Sequence, residues 1–221
     1  MSSTPTRLIW ISPECENNIV YIARISNPES QEAGGNESKL INYLIKHSHW
    51  SPFEHGYLSI EVTCPLFVAT QILRHRSFTF QQYSMRYSKY HTISGYDLPI
   101  PELRKRGSTN RQSSLEMVSE DDVETKKYFE SKISQVYHDI RDLYNEMSFH
   151  QISNESLRSI LPQNTTTKLI MTGNVRSFIH YIQIRTNEDT QKEHREVAEE
   201  IKRIFIEQLP LISSALNWVF F

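Results

Sequence analysis

The run Tyr57-Leu58-Ser59-Ile60-Glu61-Val62-Thr63-Cys64-Pro65 leads directly into Leu66-Phe67-Val68-Ala69-Thr70-Gln71-Ile72-Leu73-Arg74-His75-Arg76. Its first eight residues alternate and are rich in β-formers, which predicts a strand. Pro65 suits the first position of a helix. Phe67, Val68, Ile72 and Leu73 make that helix amphipathic, and its C-terminal end delivers Arg74-His75-Arg76. A strand feeding a helix, in a chain whose second half reads mainly as helices, predicts the α+β class. We expect a single domain with a central, mostly antiparallel sheet flanked by helices and a helix-rich C-terminal half.

Upstream, residues 7–11 read as a short strand and residues 17–26 as a helix that Asn27-Pro28 ends. Gln31–Glu37, with Gly34-Gly35, reads as a loop. Leu40, Tyr43, Leu44 and His47 recur at helical spacing near 37–47. Downstream, Ser119 and Asp122 match an N-cap with an acidic third position and open a long helix to about Met147. A shorter helix covers 154–161, a strand covers Thr165–Met171, and Gly173 punctuates. Asn174 caps a helix to about Thr186, and Thr190-Gln191-Lys192-Glu193 matches a capping box for a helix to about Gln208. The segment 91–118 holds Gly95, Pro99, Pro101, Gly107 and the basic Arg104-Lys105-Arg106. It is expected to be a mobile loop within one catalytic domain spanning 1–221, since loops of that length are often functional.

Composition narrows the class. The chain has 221 residues, and a chain of that length buries roughly 70% of its unfolded surface, enough for one globular domain. Lys+Arg total 24 and Asp+Glu 26, a formal net charge of -2, where a duplex-coating protein carries a basic excess. The arginine clusters therefore read as local sites, and no nucleic-acid partner is expected. Two cysteines, Cys15 and Cys64, form no disulfide framework and fit a reducing compartment. No apolar run approaches the roughly 20 residues that span a bilayer. A cytoplasmic protein without a membrane partner is the expectation.

The segment Arg74–Tyr87 puts three arginines beside apolar sequence, and guanidiniums there need an anion to meet them. If the helix continues through residue 76, Arg74 and Arg76 diverge by about 200° and serve two ligands, or one ligand and a structural acid. If 80–88 is extended, Gln82, Ser84, Arg86 and Ser88 face one way, and Tyr83, Met85 and Tyr87 the other. A hydroxyl, a guanidinium and backbone N–H groups then make a phosphate cradle. The bland alternative is a surface strand whose arginines pair with nearby acids.

His47 and His49-Trp50-Ser51-Pro52-Phe53-Glu54-His55 gather histidines and a carboxylate, but not at a metal-ligand spacing, and no metal is expected. A neutral histidine in or beside a cleft fits better. Arg176 and His180 are i,i+4 and share a helix face, while Arg185 faces about the opposite way. Gln191–Arg195 reads as the first turn of an exposed helix. Cys64 before Pro65 could be a nucleophile at a helix start, but the strand pattern buries it. The six scattered glycines form no phosphate loop, so any nucleotide or flavin would be held by side chains and helix ends.

Arg74-His75-Arg76, seven residues, then Ser84-Met85-Arg86-Tyr87 resembles the signature of the flavin-dependent thymidylate synthases. So do His49-x-Ser51-Pro52-Phe53-Glu54-His55, Leu161-Pro162, Thr172-Gly173-Asn174-x-Arg176, Arg185 and Gln191-x-Glu193, in that order over residues 17–208. The resemblance implies reductive methylation of dUMP to dTMP. FAD is the cofactor, NADPH the reductant and methylenetetrahydrofolate the one-carbon donor, with the flavin rather than a cysteine mediating methylene transfer. It also implies a homotetramer with active sites at subunit interfaces. A non-catalytic nucleotide- or RNA-binding module using the same arginines is the competing reading.

Carried onto this chain, the resemblance implies that Arg185 favours ionisation at N3 of the uracil and that His49 acts in turnover beside the folate and flavin rings. It places dUMP against Gln71, Arg74, Gln82, Ser84, Met85 (through its backbone), Arg86, Arg158 and Arg185. It places the flavin against Ser26, Ser51, Arg74, His75, Arg76, Gln82, Asn174, Arg176 and His180. Some relatives carry Asn-Glu where this chain has Gln81-Gln82, so no general base is assigned there. His180 stands where some relatives carry asparagine.

Overall fold

Strand β1 (Thr6–Ile11) opens the part of the chain that the computed structural model describes: residues 6–27, 29, 31, 35–94, 98–108 and 114–218. Helix α1 (Cys15–Ala23) buries Cys15, Ile19 and Val20 on one side. Asn36 then caps α2 (Glu37–Lys46), its side chain accepting from Lys39 N at 2.8 Å. Ile41 and Leu44, one turn apart, are the buried face of α2. A 3-10 turn (Ser51–Glu54) with Pro52 in its first turn leads to β2 (Tyr57–Pro65). Pro65 is thus the last residue of the strand, and the short α3 (Leu66–Ile72) begins one residue later than the sequence predicts.

Strand β3 (Thr79–Gln82) is followed by α4 (His91–Ser94) and a two-stranded antiparallel ribbon of β4 (Lys105–Arg106) and β5 (Ser114–Leu115). The segment 91–118 is therefore not structureless, although its residues 95–97 and 109–113 lie outside the described ones. Helix α5 (Glu120–Phe149) starts on the expected capping box, with Ser119 Oγ accepting from Asp122 N and Asp122 accepting from Ser119 N. A single α-turn, α6 (Asn154–Leu157), continues as a 3-10 turn over Arg158–Ile160, so the expected helix at 154–161 is split.

Strand β6 (Thr166–Asn174) runs three residues beyond the predicted end and includes Gly173. A Cβ on Gly173 would lie 2.4 Å from the Phe78 ring, so glycine serves close packing here rather than a turn. Asn174 caps α7 (Val175–Arg185) as expected, accepting from Ser177 N at 2.8 Å. Helix α8 (Lys192–Gln208) begins at Lys192 with Gln191 as N-cap and no side-chain cap bond, so the capping box expected from Thr190 does not form. Pro210 opens α9 (Pro210–Ala215).

The fold is α+β, with a four-stranded antiparallel sheet in the order β1-β2-β6-β3. In the β1–β2 pair Thr6 faces Val62 and Ile11 faces Leu58, with a register shift between Leu8 and Trp10. By contacts the described residues fall into two compact units. The first comprises Met1–Thr63, Gln71–Gln81 and Leu169–Phe221, and the second Cys64–Thr70 and Gln82–Lys168. In the first unit α7 packs on α8, α8 on β1, and α9 on α2. Phe78 meets Phe178 edge-on at 4.9 Å in its core. In the second, Met85, Tyr90, Leu98, Tyr144 and Leu157 form the buried cluster, with Tyr90 edge-on to Tyr144 at 4.9 Å. No helix among the described residues is long and apolar enough to cross a membrane.

Candidate active site

The Arg-His-Arg segment does not extend the helix. Helix α3 ends at Ile72, and Arg74 N donates to Gln71 O (3.3 Å), His75 N to Ile72 O (3.0 Å) and Phe78 N to His75 O (3.3 Å). These are turn bonds. The burial of Phe78 against Phe178 bends the chain off the helix axis. The angular argument that sets Arg74 opposite Arg76 therefore does not apply. The turn leaves both guanidiniums exposed and the imidazole between them half-buried.

That imidazole opens a polar cluster inside the first unit. Arg185, the last residue of α7, donates from Nε to His75 Nε2 at 2.9 Å. The His75 ring meets Tyr181 edge-on at 4.9 Å. Tyr181 Oη lies 3.0 Å from His194 Nε2, and His194 Nδ1 lies 3.1 Å from Gln71 Oε1. Gln71 Nε2 donates to Gln191 Oε1 at 2.7 Å. Burial first, then the Arg185 and His180 charges, lowers the His75 pKa to about 4. Burial, then Arg185 and His75, lowers that of His194 to about 3. Both imidazoles are neutral at pH 7, so His75 accepts from Arg185 without competing with its charge.

Arg185 is half-buried and has no carboxylate partner among the described residues. The same holds for the exposed Arg74, Arg76 and Arg158. Arg86 and Arg176 differ: Arg86 Nη2 sits 3.2 Å from Glu155 Oε2, and Arg176 pairs with Glu54. The bland reading of arginines paired with acids therefore holds for those two residues and not for the other four.

A cleft of about 600 Å³ lies beside α7 in the first unit, lined among others by Trp50, Glu54, Ser77, Asn174, Arg176 and His180. Arg176 and His180 share the cleft-lining face of α7, as their spacing predicts. An indole, an imidazole, a guanidinium and hydroxyls at a helix start are a donor set suited to a flat heteroaromatic group carrying phosphate. Ser26, His49 and Ser51 are exposed outside this lining. His49 stands in an aromatic group with Tyr43 (5.8 Å) and His47 (6.1 Å).

In the second unit the extended reading of 80–88 fails. Strand β3 stops at Gln82, and Tyr87 N and Ser88 N both donate to Ser84 O at 3.1 Å, closing a turn. Met85 must reach the buried cluster with Tyr90, so the chain folds back and Tyr87 is left 91% exposed. Ser84 and Arg86 sit on this turn instead of alternating along a strand. Gln82 Nε2 donates to Thr167 Oγ1 at 3.4 Å, and Arg158 opens the 3-10 turn after α6.

Cys64 is buried, and burial pushes its thiol to about 12; Cys15 is pushed to about 11. Neither is a thiolate at neutral pH. No His/Cys/Asp/Glu group suited to a metal occurs among the described residues. Sequence reasoning missed His194 and Tyr181. His194 was readable: with Val197, Ala198 and Ile201 it follows the buried stripe of α8 rather than an exposed first turn.

Residues 7–211 match the model of the family described as thymidylate synthase complementing protein. A probable flavin-dependent thymidylate synthase of Paramecium bursaria Chlorella virus 1 is 40% identical over 205 residues, 92% of this chain and 91% of that protein. A flavin-dependent thymidylate synthase of Synechocystis sp. is 41% identical over 208 residues, 94% and 91%. The crystal structure of the UMP/dUMP methylase PolB from Streptomyces cacaoi, bound with 5-Br dUMP, superposes with a TM-score of 0.82 at 26% identity. It covers 98% of this chain and 95% of that one.

Proposed function

This chain belongs to the thymidylate synthase complementing protein family, and from that premise we infer that it is a flavin-dependent thymidylate synthase that methylates dUMP reductively to dTMP. The supporting observation is Arg185: a half-buried guanidinium, oriented through Nε by a neutral histidine and without a carboxylate partner among the described residues. Such a cation is available to an anion, and a partly dry site strengthens its field. In our reading its remaining N–H groups face the uracil and favour the N3-ionised form, which raises electron density at C5.

The chemistry of the cleft fits FAD. Asn174, Arg176 and His180, with Ser26, Ser51, Arg74, His75, Arg76 and Gln82, are the residues we assign to it. When bound, the flavin supplies the two-electron chemistry and carries the methylene that a buried, protonated Cys64 does not. Over the whole reaction dUMP gains a methyl group, methylenetetrahydrofolate leaves as tetrahydrofolate, and NADPH leaves as NADP⁺. Arg74, Arg86 and Arg158 would neutralise the nucleotide phosphate, with Gln71, Gln82, Ser84 and the Met85 backbone completing its hydrogen bonds. Glu155 and Glu54 hold Arg86 and Arg176 through exposed ion pairs worth about 1 kcal/mol or less, so an arriving phosphate can replace them. His49 is assigned to turnover. We place the enzyme in the cytoplasm as a homotetramer with active sites at subunit interfaces, its 221 residues acting as one catalytic domain.

Purified protein should show flavin absorbance that bleaches on adding NADPH, and should form dTMP when dUMP and methylenetetrahydrofolate are supplied. Colourless protein that takes up no added FAD overturns the reading.

A further inference from the structure

The polar cluster of the first unit has a direction. Glu193 is a carboxylate and only accepts, and Gln191 Nε2 donates to its Oε2 at 3.0 Å. That fixes Gln191 Oε1 as the atom that accepts from Gln71 Nε2 at 2.7 Å. Gln71 Oε1 is then left facing His194 Nδ1 at 3.1 Å, so Nδ1 carries the single proton of the neutral ring. Nε2 of His194 must accept, and it does so from the Tyr181 hydroxyl at 3.0 Å. One proton arrangement satisfies every partner from Tyr181 to Glu193. Turning the Gln71 amide over would set its NH₂ against the Nδ1 proton, at the cost of a buried unsatisfied donor.

His194 is fully buried, Tyr181 likewise, and both rest on helices α7 and α8, which pack together. This is a rigid mount for a side chain, Gln71, that is itself only half-buried. One of the two Gln71 Nε2 hydrogens enters the chain and the second does not. We propose that His194 is a positioning residue: its Nδ1–H locks the Gln71 carboxamide with oxygen inward, so that Gln71 presents an N–H, and not a carbonyl, to the nucleotide. This rests on the assignment of Gln71 to dUMP. The selected ligand chemistry is a hydrogen-bond acceptor, a uracil carbonyl or a phosphate oxygen. The lowered pKa of His194 supports the neutral tautomer that the geometry requires.

The test compares three variants of the FAD-loaded enzyme. His194→Asn puts an N–H donor close to the Nδ1 position. His194→Gln reaches the Nε2 position and loses the donor to Gln71. His194→Leu removes both. We expect His194→Leu and His194→Gln to raise KM for dUMP and its calorimetric Kd roughly ten-fold, with FAD content unchanged and kcat within about two-fold. His194→Asn should restore KM to near wild type. If His194→Leu does not fold, the Asn and Gln pair carries the comparison. Equal dUMP affinity in all folded variants, whatever their melting temperatures, overturns the proposal and reduces His194 to a core residue. A wild-type protein that forms no dTMP overturns the enzymatic reading instead, so the two failures are distinguishable.

Discussion

The role proposed for Arg185 predicts the largest effect of a single substitution. Replacing it with alanine removes a half-buried charge and leaves His75 Nε2 without its donor. Loss of one preorganised charge at a developing anion costs about 10²–10³-fold in kcat, and that is the expected fall in single-turnover dTMP formation. FAD absorbance should be retained; an active Arg185→Ala enzyme would remove the assignment. Arg185→Lys should recover little, because an ammonium on a flexible stem lacks the Nε–H that His75 orients. The two neutral imidazoles make stability depend on pH. Their folded pKa values, about 4 for His75 and about 3 for His194, lie below the unfolded value of 6.5. Between those limits the unfolded chain binds more protons, so stability rises with pH and is lost as pH falls below about 6.5. Each group contributes a slope of up to about 1.4 kcal/mol per pH unit. Urea titrations from pH 7.5 to pH 4.5 should show the decline, and His194→Asn should flatten it. An unchanged slope in that variant would assign the dependence elsewhere.

Among the elements, two helix starts set by local chemistry were legible in advance, the capping box expected from Thr190 did not form, and the ends set by distant packing were not legible. Ser119 and Asp122 start α5, and Asn174 starts α7, because a cap needs only its own next three residues. The ends of α3 and β3 carry no such mark. No glycine or proline separates Ile72 from Phe78, and that turn exists because Phe78 must reach Phe178 and Gly173. The turn after Gln82 exists because Met85 must reach Tyr90 and Tyr144. The arginine motif was therefore readable as a family signature while its shape was not. The same packing yields a test. Gly173→Ala places a methyl 2.4 Å from the buried Phe78 ring, so the ring or the backbone must shift. Overpacking of this kind costs about 1–3 kcal/mol, which lowers the melting temperature by roughly 2–10 °C in a chain of this size. Differential scanning calorimetry measures it, and a melting temperature equal to wild type would show that Phe78 is loosely held.

At the scale of the whole molecule, one helix turns several large apolar side chains to solvent. On the 30-residue α5, Phe129, Val136 and Leu143 are 50%, 53% and 46% exposed and recur every seven residues. That spacing keeps them on one side of the helix, drifting only about 20° per repeat. Exposed apolar side chains aligned as a stripe in this way suit an interaction surface, and the proposed homotetramer would supply its occupant: other copies of the same chain. Light scattering at micromolar concentration should then give a particle of four times 26.0 kDa. Val136→Glu puts a charge in the middle of the stripe, where desolvating it without a partner costs several kcal/mol, so the particle should fall to a smaller species. If the active sites need residues from neighbouring copies, dTMP formation should fall with the mass, and raising the protein concentration should restore both together. A wild-type monomer with full activity would sink the assembly, and with it the idea that this stripe is covered by its own kind.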